Sequence, residues 1–174
     1  MATTQLAKDR LTTRFDLWDK NGDGLLRRED FQNEGRRVVR AFEESENSPR
    51  GHAVISGYDG IWSYISEKAG SVDAVTRAQF ERIGDDVIGE GDTGWAAVVR
   101  PHITAMAELC DTDGDGRVSQ PEFARWLQAI GVKADTTETF RKIDLDGDGH
   151  LSVEELSAAI KAYVEGELDT PLLG

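Results

Sequence analysis

One acidic twelve-residue pattern occurs in full twice in this chain, and it limits what the chain can fold into. In segment 111–122, aspartates stand at relative positions 1, 3 and 5, glycine at 6, serine at 9 and glutamate at 12. This spacing gathers oxygens from a tight turn and adds a two-oxygen side chain from the next helix, as a hard cation with six to eight oxygen ligands requires. Segment 144–155 matches at every ligand position. Both segments are therefore predicted to bind Ca²⁺.

Each pattern is the calcium loop of an EF-hand, a helix–loop–helix unit whose seventh residue contributes its backbone carbonyl. Because any residue type can supply a carbonyl, Arg117 and His150 count as ligands at that position, while the His150 imidazole is expected to be a solvent-exposed bystander. Ser119 and Ser152, at position 9, stand where a ligand or a bound water is expected. The predicted ligands of these loops, which we number three and four, are Asp111, Asp113, Asp115, Arg117, Glu122, Asp144, Asp146, Asp148, His150 and Glu155.

A further copy at 19–30, loop one, keeps the ligand pattern with two departures. Position 9 is Arg27, which has no oxygen to offer and carries a charge of the wrong sign. Position 12 is Asp30, one methylene shorter than glutamate, so it is expected to reach the ion with one oxygen or through a water and to make the site magnesium-tolerant. The predicted ligands of loop one are Asp19, Asn21, Asp23, Leu25 through its carbonyl, and Asp30.

The fourth frame, loop two at 68–79, keeps the scaffold of the unit without its ligands. Lysine stands at position 1, glycine at 3, valine at 5 and glutamine at 12, so a cation would meet almost no carboxylates. Thr76 and Gln79 still form a capping box that starts the next helix. Loop two is expected to be metal-free, which leaves three Ca²⁺ sites. Three ions carry six positive charges and would move the formal net charge from −13 to −7.

The repeats predict an all-α fold of four EF-hand units, arranged in two pairs and packed into one compact globule. EF-hands pair through a short strand contact at the aliphatic position 8, so Leu26 is expected to pair with Val75 and Val118 with Leu151. The N-terminal pair is predicted to span 1–90, with hand one active and hand two degenerate. The C-terminal pair, with hands three and four active and a tail, is predicted to span 91–174. A glycine-rich stretch at 89–94 marks the junction.

Composition disfavours several classes of partner. With 20 basic and 33 acidic residues, the chain would be repelled by a nucleic-acid backbone or an anionic membrane surface. The single cysteine, Cys110, excludes an internal disulfide and, directly before Asp111, is expected to be a buried apolar residue. No segment reads as a signal peptide or a membrane span. A soluble cytoplasmic protein, most simply a monomer, is expected.

Three functions compete on these observations: a calcium buffer or transporter, a calcium sensor with a dedicated protein partner, and an enzyme. Four EF-hand frames leave no segment for a catalytic domain, so no enzymatic activity is predicted. Adaptable sensor grooves use many methionines, and this chain has two, against four tryptophans and six phenylalanines. The tail leucines Leu168, Leu172 and Leu173 are expected to fold back onto apolar surface that a sensor would offer to its partner. The buffer is favoured, and the sensor stays open.

With four frames placed, the chain resembles the sarcoplasmic calcium-binding proteins, including their calerythrin branch. The resemblance covers nearly the whole chain and rests on the order active, degenerate, active, active, on the opening Phe15–Asp19, and on the closing segment 168–174. It implies two EF-hand pairs in one globule, Ca²⁺ in loops one, three and four, and no metal in loop two. It also implies a buffering role, with regulatory roles suspected for some members. The calerythrin branch implies a bacterial source.

Overall fold

Helices flanking short loops make up most of the computed structural model, which describes residues 4–89 and 97–172. The helices of eight or more residues in these ranges are α1 (Gln5–Trp18), α2 (Arg28–Ala41), α3 (Pro49–Ala69), α4 (Arg77–Gly89), α5 (Arg100–Cys110), α6 (Gln120–Ala129), α7 (Thr136–Ile143) and α8 (Val153–Val164). The strands are β1 (Leu25–Leu26), β2 (Val75–Thr76), β3 (Val118–Ser119) and β4 (His150–Leu151). The predicted all-α architecture is confirmed. The predicted junction at 89–94 lies outside the described residues apart from Gly89, and so does Leu173.

Two antiparallel strand contacts join the loops in pairs. Leu26 pairs with Val75 in one contact, and Val118 pairs with Leu151 in the other. All four side chains are at most 1% exposed, because each strand turns its aliphatic residue into the core. The pairing predicted from position 8 is therefore confirmed, and loop two is held against loop one although it lacks acidic ligands.

Local signals start the helices, with one difference from the sequence-based expectation. Thr4 caps α1 by accepting a hydrogen bond from the Ala7 amide at 3.1 Å. The polar segment 43–51, which contains proline and glycine, predicts a connection, but α3 already begins at Pro49. Ser48 caps this helix by accepting from the Gly51 amide at 3.0 Å. Proline suits the first helical turn because its fixed φ is helical and its missing N–H has no partner there.

The buried side chains of both strand-paired halves form one cluster. Trp18 packs against Phe31 with ring centroids 4.6 Å apart, and Phe31 against Trp62 at 5.7 Å. Gly84 permits a close approach of α4 to α1, since a Cβ there would lie 2.5 Å from a Leu11 methyl group. Cys110 is fully buried, as expected. No helix within residues 4–89 and 97–172 has both the length and the apolarity to cross a membrane.

Polar contacts tie the tail and the second half to the first. The Arg10 guanidinium donates to the Tyr163 carbonyl and, at 2.6 Å, to the Leu168 carbonyl, which fixes the tail against α1. The Arg37 guanidinium donates to the Ala129 carbonyl at the end of α6. Because both arginines saturate carbonyls near a chain or helix end, these contacts hold the helices in place around the loops.

Candidate metal centres

Loops three and four each bring three aspartates together. Carboxylate oxygens of Asp111, Asp113 and Asp115 lie within 4.8 Å of one another, and those of Asp144, Asp146 and Asp148 do the same. Asp111 is buried, whereas the other five aspartates are at least partly exposed. Like charges this close repel one another unless a cation lies among them.

Backbone amides hold the first aspartate of each loop in place. Gly116 and Gly149, at position 6, adopt φ of 81° and 83°, in the left-handed region that glycine occupies without a Cβ penalty. This conformation turns their amides back to the first carboxylate, so the Gly116 amide donates to Asp111 Oδ2 at 2.8 Å and the Gly149 amide to Asp144 Oδ2 at 3.1 Å. Loop one has the same turn, with φ of 77° at Gly24, whose amide donates to Asp19 Oδ2 at 2.9 Å. The three loops therefore share one frame.

The glutamate at position 12 closes loop three. Glu122 Oε1 accepts from the amide and the hydroxyl of Thr112, both at 2.8 Å, while Oε2 accepts from the amide and hydroxyl of Ser119 at 2.9 and 3.0 Å. Burial would raise the pKa of Glu122, but these four hydrogen bonds outweigh it and hold the pKa below its ordinary value. The carboxylate therefore spans the loop, charged, from its last residue to its second.

Glu155 closes loop four in the same way. Its Oε1 accepts from the Leu145 amide at 3.0 Å, and its Oε2 accepts from the amide and hydroxyl of Ser152, both at 2.9 Å. Burial raises the pKa of Glu155, and the hydrogen bonds more than reverse that shift. The hydroxyls at position 9 thus donate hydrogen bonds to the closing glutamates. The Thr112 hydroxyl does the same for Glu122, which the twelve-residue ligand pattern does not predict.

Loop one lacks this closure. Asp30 Oδ2 accepts from the Arg27 amide at 2.7 Å, but no hydrogen bond joins Asp30 to positions 1–6 of the loop among the described residues. Burial raises the pKa of Asp30, and the single hydrogen bond from the Arg27 amide does not overcome it. The shorter side chain therefore caps its helix without crossing the loop.

A cationic side chain occupies part of loop one. Arg27 Nη1 lies 2.6 Å from Asp23 Oδ2, so the residue at position 9 pairs with the carboxylate at position 5. The hydrogen bond from Arg27 lowers the pKa of Asp23. An ion that uses both Asp23 oxygens would have to displace this contact. The sequence indicated that position 9 carries a positive charge, unfavourable for a cation site, and the structure shows that this charge pairs with Asp23.

Loop two closes without a carboxylate. The Thr76 amide donates to Gln79 Oε1 at 2.9 Å, which forms the predicted capping box. Gln79 Nε2 also donates to the Ala69 carbonyl at 3.5 Å, near the start of the loop. Val72, at position 5, is 84% exposed. An amide thus makes the cross-loop contact that a glutamate makes in loops three and four.

The residues at position 7 link loops three and four. Arg117 Nη1 lies 3.0 Å from Asp148 Oδ2, across the strand pair. The expectation of a solvent-exposed His150 was wrong: the ring is partly buried, and its Nε2 lies 3.7 Å from Asp115 Oδ2. The antiparallel strands cause this arrangement, because they place each position-7 side chain over the neighbouring loop. The two acidic clusters are therefore electrostatic neighbours.

The donor set suits a hard divalent cation. Two clusters present only carboxylate oxygens, on turns whose amides already hold the first ligand. Oxygen ligands in such number favour Ca²⁺ over softer metals, which select sulfur or nitrogen. The loops therefore have the chemistry of calcium sites.

Comparisons with known proteins agree with this chemistry. Residues 108–161 match the EF-hand domain pair family. Calerythrin of Saccharopolyspora erythraea is 36% identical over 176 residues, covering 99% of this chain and 99% of the relative. A Streptomyces coelicolor calcium-binding protein, described in terms of prokaryotic calcium-mediated regulation, is 28% identical with a TM-score of 0.79, covering 91% of this chain and 98% of that chain.

A more distant structure supports the fold alone. Calcium-loaded apo-aequorin from Aequorea victoria has a TM-score of 0.79 at 17% identity, covering 93% of this chain and 92% of that chain. The alignment with calerythrin, in contrast, runs over almost all of both sequences at an identity that shows common family membership. The chain belongs to the calerythrin family of calcium-binding EF-hand proteins.

Proposed function

We propose that the protein is an intracellular calcium buffer or transporter that binds three Ca²⁺ ions, in loops one, three and four. The observation that carries the proposal is the shared frame of these loops, in which the position-6 amide of Gly24, Gly116 or Gly149 holds the first aspartate. Loop two has no aspartate at its first position and closes through Gln79 instead.

The proposed ligands follow the twelve-residue frame. In loops three and four, the closing glutamates are charged and already aimed across the loop, which suits bidentate coordination. In loop one, Asp30 supplies a shorter arm, so we assign this site a lower preference for Ca²⁺ over Mg²⁺. The carboxylate and amide ligands are Asp19, Asn21, Asp23, Asp30, Asp111, Asp113, Asp115, Glu122, Asp144, Asp146, Asp148 and Glu155, with backbone carbonyls from Leu25, Arg117 and His150.

The C-terminal tail favours a buffer over a sensor. Leu172 is 3% exposed and inserts among side chains of α6, α7 and α8, including Phe123, Ile143 and Leu156. A sensor that captures a partner helix needs such a groove to be free. The large apolar side chains that are exposed in residues 4–89 and 97–172 are Leu6, Val72 and Leu145, which lie on separate elements. The tail thus takes the place that a partner would occupy.

Calorimetric titration of Ca²⁺ into chelator-treated protein tests the proposal. We expect a stoichiometry of three. Substituting Asp19 by alanine should reduce it to two by removing loop one, and the matched change of Asp73, in loop two, should leave it at three. A stoichiometry of two or four for the unsubstituted protein would contradict the assignment.

The proposal also covers the domain bounds, the partners and the absence of catalysis. We assign residues 1–90 and 91–174 to the two EF-hand pairs, following the strand contacts of Leu26 with Val75 and of Val118 with Leu151. The protein would act as a cytoplasmic monomer, without nucleic-acid or membrane partners, because its acidic surface repels both. No catalytic role is proposed. Among the described residues, neither the buried His102 side chain nor the buried Cys110 side chain is hydrogen-bonded to a carboxylate.

A further inference from the structure

A cavity of about 170 Å³ lies where the four helix–loop–helix units meet, and none of the predicted calcium ligands lines it. Helices α1, α3, α4, α5, α6 and α8 contribute apolar walls, represented by Leu11, Ile61, Phe80, Ile103, Trp126 and Ile160. Protein interiors have few voids larger than a water molecule. A cavity of about 150 Å³ with similar walls stays dry and accepts benzene. This cavity therefore has room for one aromatic ring with a short substituent.

Four polar side chains also line the cavity: Arg14 of α1, Tyr58 and Tyr64 of α3, and His102 of α5. The side chains of Arg14, Tyr58 and His102 make no hydrogen bond or salt bridge within residues 4–89 and 97–172. They form one group, because the rings of Tyr58 and His102 pack edge to face with centroids 4.4 Å apart and the charge of Arg14 acts on both. Buried polar groups normally have partners.

Among the described residues, no carboxylate forms a salt bridge with Arg14. Burial lowers the pKa of Arg14, and Glu34 is the carboxylate whose charge opposes that shift. Both Glu34 oxygens are already engaged by Arg37, with Oε2 3.0 Å from Nε and Oε1 2.5 Å from Nη2. The guanidinium of Arg14 instead lies 5.3 Å from the centre of the Trp18 ring, a weaker form of compensation. A partly buried cation beside apolar walls is suited to bind an anion.

We propose that this cavity binds a small aromatic monocarboxylate, with the ring against the apolar walls and the carboxylate accepting hydrogen bonds from Arg14 and Tyr58. The neutral His102 ring then flanks the carboxylate without adding a second charge. One cation, Arg14, on a mostly apolar wall fits a ligand with one anionic group. The ligand would be held between the calcium-binding units, with Trp18 on the cavity wall directly before Asp19 of loop one.

Titration of 4-methylbenzoate into the full-length, calcium-loaded protein tests the proposal, with the uncharged, similarly shaped 4-methylbenzamide as the reference probe. Calorimetry and the fluorescence of the tryptophans report binding, since Trp18 and Trp126 line the cavity. We expect saturable one-to-one binding, with the carboxylate at least tenfold tighter than the amide because its hydrogen bonds to a guanidinium are charge-assisted.

Two substitutions and a control locate the binding. Arg14→Gln should weaken 4-methylbenzoate at least tenfold and leave 4-methylbenzamide within about twofold. The control, Arg82→Gln, removes the same charge from an exposed position of α4 outside the cavity and should change neither affinity. Val87→Phe fills cavity space without touching the charge and should weaken both probes. Thermal unfolding in Ca²⁺ checks that each variant is folded. If Arg14→Gln does not fold, the affinities of Val87→Phe test whether the probes bind in the cavity.

The proposal is overturned if neither probe binds saturably, or if acid and amide bind with equal affinity. It is also overturned if Arg14→Gln and Arg82→Gln weaken the acid alike, since the charge effect would then be non-specific. Undiminished binding to Val87→Phe would place the probe elsewhere on the molecule.

Discussion

The packing of the tail leads to a quantitative prediction for Leu172→Ala. The Leu172 side chain is 3% exposed, and the space left beside it has a volume of about 10 Å³, too small for more than one water. The substitution removes three buried carbon atoms and opens a void among Phe123, Leu156 and Ile160. Buried leucine-to-alanine changes lower the free energy of unfolding by roughly 2–5 kcal/mol. Because a chain end relaxes more easily than a helix, we expect about 2–3 kcal/mol.

Urea unfolding at saturating Ca²⁺ measures this change, and Leu6→Ala is the matched control. Leu6 lies on α1 with 38% of its surface exposed, so the same chemical change should lower the free energy of unfolding by less than about 1 kcal/mol. In addition, Leu172→Ala should raise the fluorescence of an apolar-surface dye, because the vacated groove becomes accessible. Equal effects of the two substitutions, together with unchanged dye fluorescence, would refute the packing argument and restore the sensor as the better hypothesis.

Two further predictions concern loop one and a buried histidine. The substitution Asp30→Glu lets the closing carboxylate span loop one as Glu122 spans loop three. Competition titrations should therefore show an increased preference for Ca²⁺ over Mg²⁺ at that site. Greater magnesium tolerance in loops three and four than in loop one would contradict this prediction. Burial lowers the pKa of His102 from 6.5 to about 4, so the unfolded chain binds a proton that the folded chain does not, and stability should fall as pH drops through that window. Unfolding at pH 7 and pH 5 should show about 1–2 kcal/mol of loss that His102→Gln removes and the exposed control His52→Gln does not.

The sequence was sufficient for the features that recur at fixed positions of every EF-hand loop. The position-6 glycines and the capping boxes are local, so spacing alone placed Asp111, Glu122 and Glu155 within their loops, and their role as ligands stays a prediction. The strand pairing of Val118 with Leu151 is distant in sequence but was predictable, because position 8 has the same neighbour in every EF-hand pair. The start of α3 at Pro49 was missed because a proline beside polar residues indicates a connection as readily as a first helical turn.

Pairings between individual side chains could not be predicted from spacing. The pairing of Arg27 with Asp23 depends on a rotamer, and that of Arg117 with Asp148 depends on how two loops lie side by side. One sequence feature points to the cavity. Arg14 follows Leu11 by three residues and precedes Trp18 by four, so helical periodicity puts this charge on the apolar face of α1. Only the packing of six helices shows that this face lines a cavity, where the guanidinium has no salt bridge to a carboxylate in the part of the chain that the structure describes.

The differences among the loops also imply an order in which ions should bind. Loops three and four share a strand contact, and Arg117 lies between their acidic clusters, so an ion in either loop reduces the repulsion felt in both. Loop one is paired with loop two, where Asp73 at position 6 is the single carboxylate and no ion is expected, so it receives no such help from its neighbour. Its own closing residue, Asp30, does not cross the loop, and Arg27 holds one oxygen of Asp23. We therefore expect the C-terminal pair to fill first, with loop one responding at higher Ca²⁺ concentrations.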